Sequence, residues 1–203
     1  MEDLLKQVTE LFSQHDDIAH DIKHVLRTAK TARFIAEQEG YDIEEAEIAC
    51  LLHDVGRTAQ KSRNGHGMAG VPLARNLLDR YTKYDDITKN RILEAVQCHS
   101  DLGATSKLTQ IIQDADMLDG VGAIGIMRSY TAHPGSLDYD QNDIVPTVGK
   151  RGATMHEQMA FQMEWPGLMH TNAAKKIAVK RHDFMLKFLE EFNIEAKGLD
   201  LRV

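Results

Sequence analysis

Apolar residues recur along this chain at intervals of three and four, the spacing of one face of a helix. Leu4, Leu5, Val8, Leu11 and Phe12 make one such stripe. Ile22, Val25, Leu26, Ala29, Ala32 and Ala36 make a second, which Gly40 ends. A third runs from Ile43 to about Asp54 and is stopped by Gly56. The stretch NGHGMAG, residues 64–70, reads as a glycine-rich loop passing into a helix through Leu73, Leu77 and Leu78. Asp85 or Asp86 can cap a helix from Ile87 to His99, and Ser106 one that carries Leu108, Ile111, Ile112 and Ala115. Further helices are expected from about Val121 to Tyr130, near Met155 to Trp165, and from Ala173 to Phe192. Residues 131–152 are the longest stretch without helical period, and long loops inside compact domains are usually functional or disordered. No β-hairpin alternation, internal repeat or linker breaks the pattern. The expected class is all-α: one helical bundle over residues 1–203.

Against this pattern, certain polar residues stand out because they lie on buried faces. In EIACLLHDVGR, residues 47–57, the apolar run Ile48 to Leu52 ends in His53 and Asp54. A charge there costs several kcal/mol or so unless a partner or an ion compensates it. Ile92, Ala95, Val96 and His99 fall at i, i+3, i+4 and i+7, which puts His99 on the buried face. Leu108, Ile112 and Asp116 are four apart, so Asp116 follows the same face. His24 lies off the main stripe of its helix, and periodicity leaves the choice between it and His20 open. A lone inward histidine is commonly a hydrogen-bonded core residue. Several inward His and Asp on different helices point instead to a divalent metal: Mn, Fe, Co, Ni, Zn or Mg.

Composition narrows the picture. The chain has 203 residues, 42% hydrophobic and 27% charged, enough for one domain with a real core. Its net charge of −7, without a long basic run, argues against nucleic-acid or membrane partners. Cys50 and Cys98 both fall on expected buried helices and read as reduced thiols, although a zinc-thiolate role beside His53 and His99 is conceivable. With no signal-like N-terminus and no long apolar run, the expected location is cytoplasmic. Nothing in the sequence fixes an oligomeric state.

HDIKHVLRTAKTARFIA, LLHDVGR, CHS and DADMLDGVGAIGIMRSY together resemble the HD-domain superfamily of metal-dependent phosphohydrolases, over roughly residues 18–132, and the helical tail, 153–193, is similar to that of short bacterial members. The family pattern H…HD…D falls on His24, His53, Asp54 and Asp116, and so selects His24 over His20; His15 and His182 then read as surface residues. His66 resembles the extra histidine of HDIG-type members. With His99 it implies the pattern of two-metal members, one or two ions with Asp54 bridging them and serving as the catalytic carboxylate.

The resemblance implies metal-activated water acting on a nucleotide or other small phosphate ester, because a divalent ion lowers the pKa of bound water and neutralises phosphate oxygens. Arg27, Arg57 and Arg128 are the candidate phosphate contacts. Asp119 either orients the site or caps the next helix. Alternatives are a dinuclear hydrolase of dinucleoside polyphosphates or cyclic nucleotides, a di-iron oxygenase, and a metal-stabilised binding module without turnover.

Overall fold

A computed structural model describes residues 1–14, 17, 20–59, 65–101, 103, 105–132 and 155–201. The described residues are helical, with no strand among them, as the spacing predicts. The helices are α1 (Glu2–Ser13), α2 (Ile22–Glu39), α3 (Ile43–Leu52), α4 (His66–Tyr81), α5 (Asp86–Cys98), α6 (Lys107–Asp119), α7 (Ala123–Ala132), α8 (Met155–Met163) and α9 (Asn172–Ala196). Short 3-10 turns lie at Val55–Thr58 and Trp165–Leu168. No helix is long and apolar enough to cross a membrane.

Local chemistry sets the boundaries. Asp21, Asp42 and Asp85 each cap a helix by accepting the backbone N–H three residues on. Ser106 does the same for Thr109 at the start of α6. Gly40 takes the left-handed conformation, φ 65°, that ends α2.

Three expectations are corrected. The glycine-rich stretch is not a loop at His66: α4 begins on that residue, with Gly65 at φ 82° as its N-cap. The third helix closes at Leu52, and the chain then tightens into the 3-10 turn that carries Arg57. Residues 131 and 132 still belong to α7, while the rest of the expected loop and His15 lie outside the described residues.

The chain forms two compact units, Met1–Asp116 with His170–Ala173, and Met117–Met169 with Ala174–Val203. In the first, α2 packs on α3, and α4 and α3 pack on α5. Its core takes Leu4, Val8 and Phe12 from α1, Val25, Ala32 and Ile35 from α2, Leu52 from α3, and Ile92 and Val96 from α5. Each large aliphatic side chain withdrawn from water contributes about 1.5–3 kcal/mol. In the second, Val121, Met159, Met185 and Leu189 form a buried cluster with Ile126, Met163 and Trp165 packed on it.

Candidate metal centre

Helix ends supply the imidazoles in the first unit. His24 sits in the first turn of α2, and Asp21, the cap of that helix, accepts its backbone N–H at 2.9 Å. His66 is the first residue of α4. His53 and His99 occupy the C-cap positions of α3 and α5. Helix C-termini carry partial negative charge and favour a cation nearby. Close packing brings α4 in: a Cβ on Gly56 would stand 1.9 Å from the His66 carbonyl oxygen, and one on Gly67 2.4 Å from that of Gln97. Only glycine fits at either place.

The four imidazoles and Asp54 are all buried. Asp54 divides its carboxylate between two pairs of them. Its Oδ2 lies 3.5 Å from His53 Nε2 and 3.7 Å from His24 Nε2. Its Oδ1 lies 3.3 Å from His66 Nε2 and 3.6 Å from His99 Nε2, and accepts the Nε–H of Arg57 at 2.7 Å. Asp116 stands 3.3 Å from His24 Nε2, its side chain 36% exposed, so the cluster reaches solvent there. Among the described residues, the groups able to hold an ion are His24, His53 and Asp54, and Asp54, His66 and His99, with donor atoms within 4.8 Å of one another. Neither group contains a cysteine.

The hydrogen-bond network shows how the donors are aimed. His53 donates Nδ1–H to the Cys50 carbonyl at 2.6 Å, and His99 donates its own to that of Val96 at 2.7 Å. This tautomer leaves each Nε2 as a lone pair facing the cluster, the arrangement by which metal-binding histidines are oriented. His53 Nε2 is buried without a hydrogen-bond partner, which suits a cation ligand. The His66 and His99 Nε2 atoms are 2.8 Å apart, hydrogen-bonded to each other. With His99 neutral and its Nδ1–H on Val96, His66 is the donor of this pair and His99 Nε2 the acceptor. Two nitrogens on one ion stand about 3.0–3.4 Å apart, so this pair must part slightly to share one. The His24, His53 and Asp54 donors already lie within 4.8 Å of one another with no such bond to break, and Asp116 stands beside His24. The two groups are not equally prepared.

Protonation follows from burial and neighbours. Desolvation pulls His53 down to about 4, against the opposing pull of Asp54 and Asp116. Burial alone would raise Asp54, but His53, His66, His99 and Arg57 outweigh it and hold the carboxyl well below the usual range. Burial would likewise raise Asp116, and the hydrogen bond and charge of His24, with His53, depress it instead. His99 is raised: desolvation lowers it, but the contact with Asp54 prevails.

The structure thus gathers His24, His53, Asp54, His66, His99 and Asp116 from the predicted set. Arg57 also arrives, bound to Asp54. Arg27 is half-buried on α2, one turn beyond His24. Arg128 belongs to the second unit, where it pairs with Asp119 at 3.1 Å. Two arrangements were missed by sequence reasoning. His20 bonds Asp17 at 2.9 Å and sets its ring edge-on to His24 with centroids 5.7 Å apart. Asp114, wholly buried, accepts the backbone N–H groups of His170 and Thr171 and the Thr171 hydroxyl at 2.6–2.8 Å. Helical spacing chose Asp116 of the DAD triplet, but it carries no signal for the pairing of Asp114 with a segment more than fifty residues on.

The HD domain family model matches residues 21–120. The uncharacterised protein YpgQ of Bacillus subtilis is 26% identical over 205 residues, covering 89% of this chain and 86% of its own. An HD-superfamily hydrolase from Bacillus thuringiensis has a crystal structure that is similar at 30% identity and TM-score 0.74, with coverage of 96% of this chain and 95% of that one. YpgQ crystallised with ADP is similar in fold, TM-score 0.75 at 23% identity, with coverage of 98% and 96%. Ribonuclease Y of Listeria monocytogenes is 34% identical over 100 residues, a segment that makes up 48% of this chain and 17% of that enzyme.

Proposed function

The chain belongs to the HD-domain superfamily, and from that premise we propose that it is a metal-dependent phosphohydrolase acting on a nucleotide or another small phosphate ester. The observation that carries this reading is Asp54: one buried carboxylate common to two groups of histidine donors. When bound, a divalent ion supplies Lewis acidity, lowering the pKa of coordinated water and neutralising phosphate oxygens. His24, His53 and Asp54 would hold it, with Asp116 beside His24 as a further donor. His53 and His99 stay aimed because helix carbonyls fix their tautomers. Asp54 remains ionised at neutral pH and is the catalytic carboxylate of the site. Arg27, one turn beyond His24, is the basic side chain assigned to the remaining phosphate charge. The exposed edge at Asp116 is the side from which a substrate enters.

The second group, Asp54 with His66 and His99, favours a dinuclear variant of the same chemistry, with dinucleoside polyphosphates or cyclic nucleotides as substrates. The test is release of phosphate or pyrophosphate from a panel of nucleotides, led by adenine nucleotides because the YpgQ fold relative was crystallised with ADP. The panel includes a dinucleoside polyphosphate, a cyclic nucleotide and a short RNA, with manganese and then with chelator. Manganese-dependent release from a mononucleotide supports the principal reading, and release only from a dinucleoside polyphosphate or cyclic nucleotide supports the second. Cleavage confined to RNA overturns both. Oxygen consumption with iron marks an oxygenase instead, and ion binding without any turnover marks a binding module.

A further inference from the structure

We infer that Arg57 sets how many ions the site holds, by placing a fixed positive charge on the oxygen of Asp54 that would serve the second one. This rests on the metal-centre reading and concerns its regulation. The Arg57 Nε–H lies 2.7 Å from Asp54 Oδ1, the oxygen that faces His66 and His99, not the one that faces His24 and His53. Its side chain is 14% exposed and that of Asp54 2%, so water screens the pair weakly. The backbone holds the contact: Arg57 lies in the 3-10 turn that starts at Asp54, its own N–H bonded to the Asp54 carbonyl at 3.0 Å.

A guanidinium in this place has two effects on a second cation. It occupies a lone pair of Oδ1, leaving that oxygen a weaker donor. It also repels an ion between Asp54, His66 and His99 at short range and low screening, whereas an ion at Oδ2 lies across the carboxylate from it. Both effects weaken the second position more than the first. Arg57 also keeps the carboxylate from turning to chelate a single ion, but this ordering is a smaller effect than a full charge in a buried setting. The residue that the sequence offers as a phosphate contact is on this reading a positioning residue, one that makes the centre mononuclear at low metal and dinuclear only at high metal.

The experiment is a Mn²⁺ binding isotherm by calorimetry, with free ion counted by electron paramagnetic resonance, on chelator-treated full-length protein. The wild type is expected to bind one ion tightly and a second at least tenfold more weakly. In Arg57→Gln the second step should tighten tenfold or more, about 1.4 kcal/mol, with the first step changed much less. Arg57→Lys, which keeps the charge, should stay near the wild type, and circular dichroism establishes that both variants are folded. A second step unchanged or weakened in folded Arg57→Gln overturns the inference alone. If Arg57→Gln does not fold, Arg57→Lys decides: a second step tightened tenfold while the charge is kept overturns the inference, and wild-type behaviour supports it. No binding of Mn²⁺ by wild-type protein overturns the metal reading as a whole.

Discussion

Asp114→Asn exchanges one acceptor oxygen for an NH₂ group on a side chain that no solvent reaches. Oδ1 accepts His170 N–H, and Oδ2 accepts both the N–H and the hydroxyl of Thr171, itself buried. An amide turned with its oxygen toward Thr171 keeps both of those bonds and sets its hydrogens against the His170 N–H. A buried donor left without an acceptor costs roughly 1–3 kcal/mol, so the substitution should cost about 2 kcal/mol. For a chain of this size that lowers Tm by roughly 4–8 °C. Asp116→Asn, two residues on, should do the reverse. Its carboxylate is partly exposed, and its loss should change stability by less than about 1 kcal/mol. Mn²⁺ affinity should fall at least about 100-fold. Urea denaturation followed by circular dichroism on chelator-treated protein, with a Mn²⁺ titration of each folded variant, separates the two roles. If Asp114→Asn costs under about 1 kcal/mol, or if Asp114→Asn loses metal while Asp116→Asn keeps it, the roles are wrongly assigned.

His53→Ala should lose bound metal, while His182→Ala, at a half-exposed position, should retain it; elemental analysis of both purified variants decides. Between pH 6.5 and about 4, chelator-treated protein should lose stability as pH falls. His53 stays neutral when folded and takes a proton when unfolded, so the unfolded state binds more protons over that window. A shift of this size is worth roughly 3 kcal/mol, and urea melts at several pH values that show no slope there would remove the cause. Cys50→Ser should leave metal content unchanged, because Cys50 orients His53 through its carbonyl and its thiol is in neither donor group; loss of the ion on elemental analysis would reinstate a thiolate ligand.

Much of this was legible in the sequence, for reasons that can be traced residue by residue. Helical spacing alone put His99 and Asp116 on inward faces and found nearly every helix. It could not choose between His20 and His24, because both lie off the main apolar stripe of their region. The motif resemblance made that choice, and the structure puts His24 against Asp54 and Asp116 while His20 turns to Asp17. His66 read as a loop residue because glycines surround it. Gly67 instead lets α4 press on α5, and Gly56 and Gly70 let it pass against the turn after Asp54, an effect of backbone proximity that a linear pattern does not encode. Arg57 and Asp114 each pair with groups whose geometry depends on a turn or on a segment distant in sequence. No periodicity reports such pairings.

The C-cap histidines have a consequence for what the chain can tolerate. In α3 and α5 the residue that ends the helix is also the donor, and a carbonyl of the last turn, that of Cys50 or Val96, fixes the donor's ring. Adding or removing one residue within either helix would turn the terminal imidazole by about 100° around the axis, beyond what rotamer changes can absorb. Helix length here is therefore as constrained as side-chain identity. Insertions and deletions should be found in the connections of this fold, and not inside the two helices that present His53 and His99.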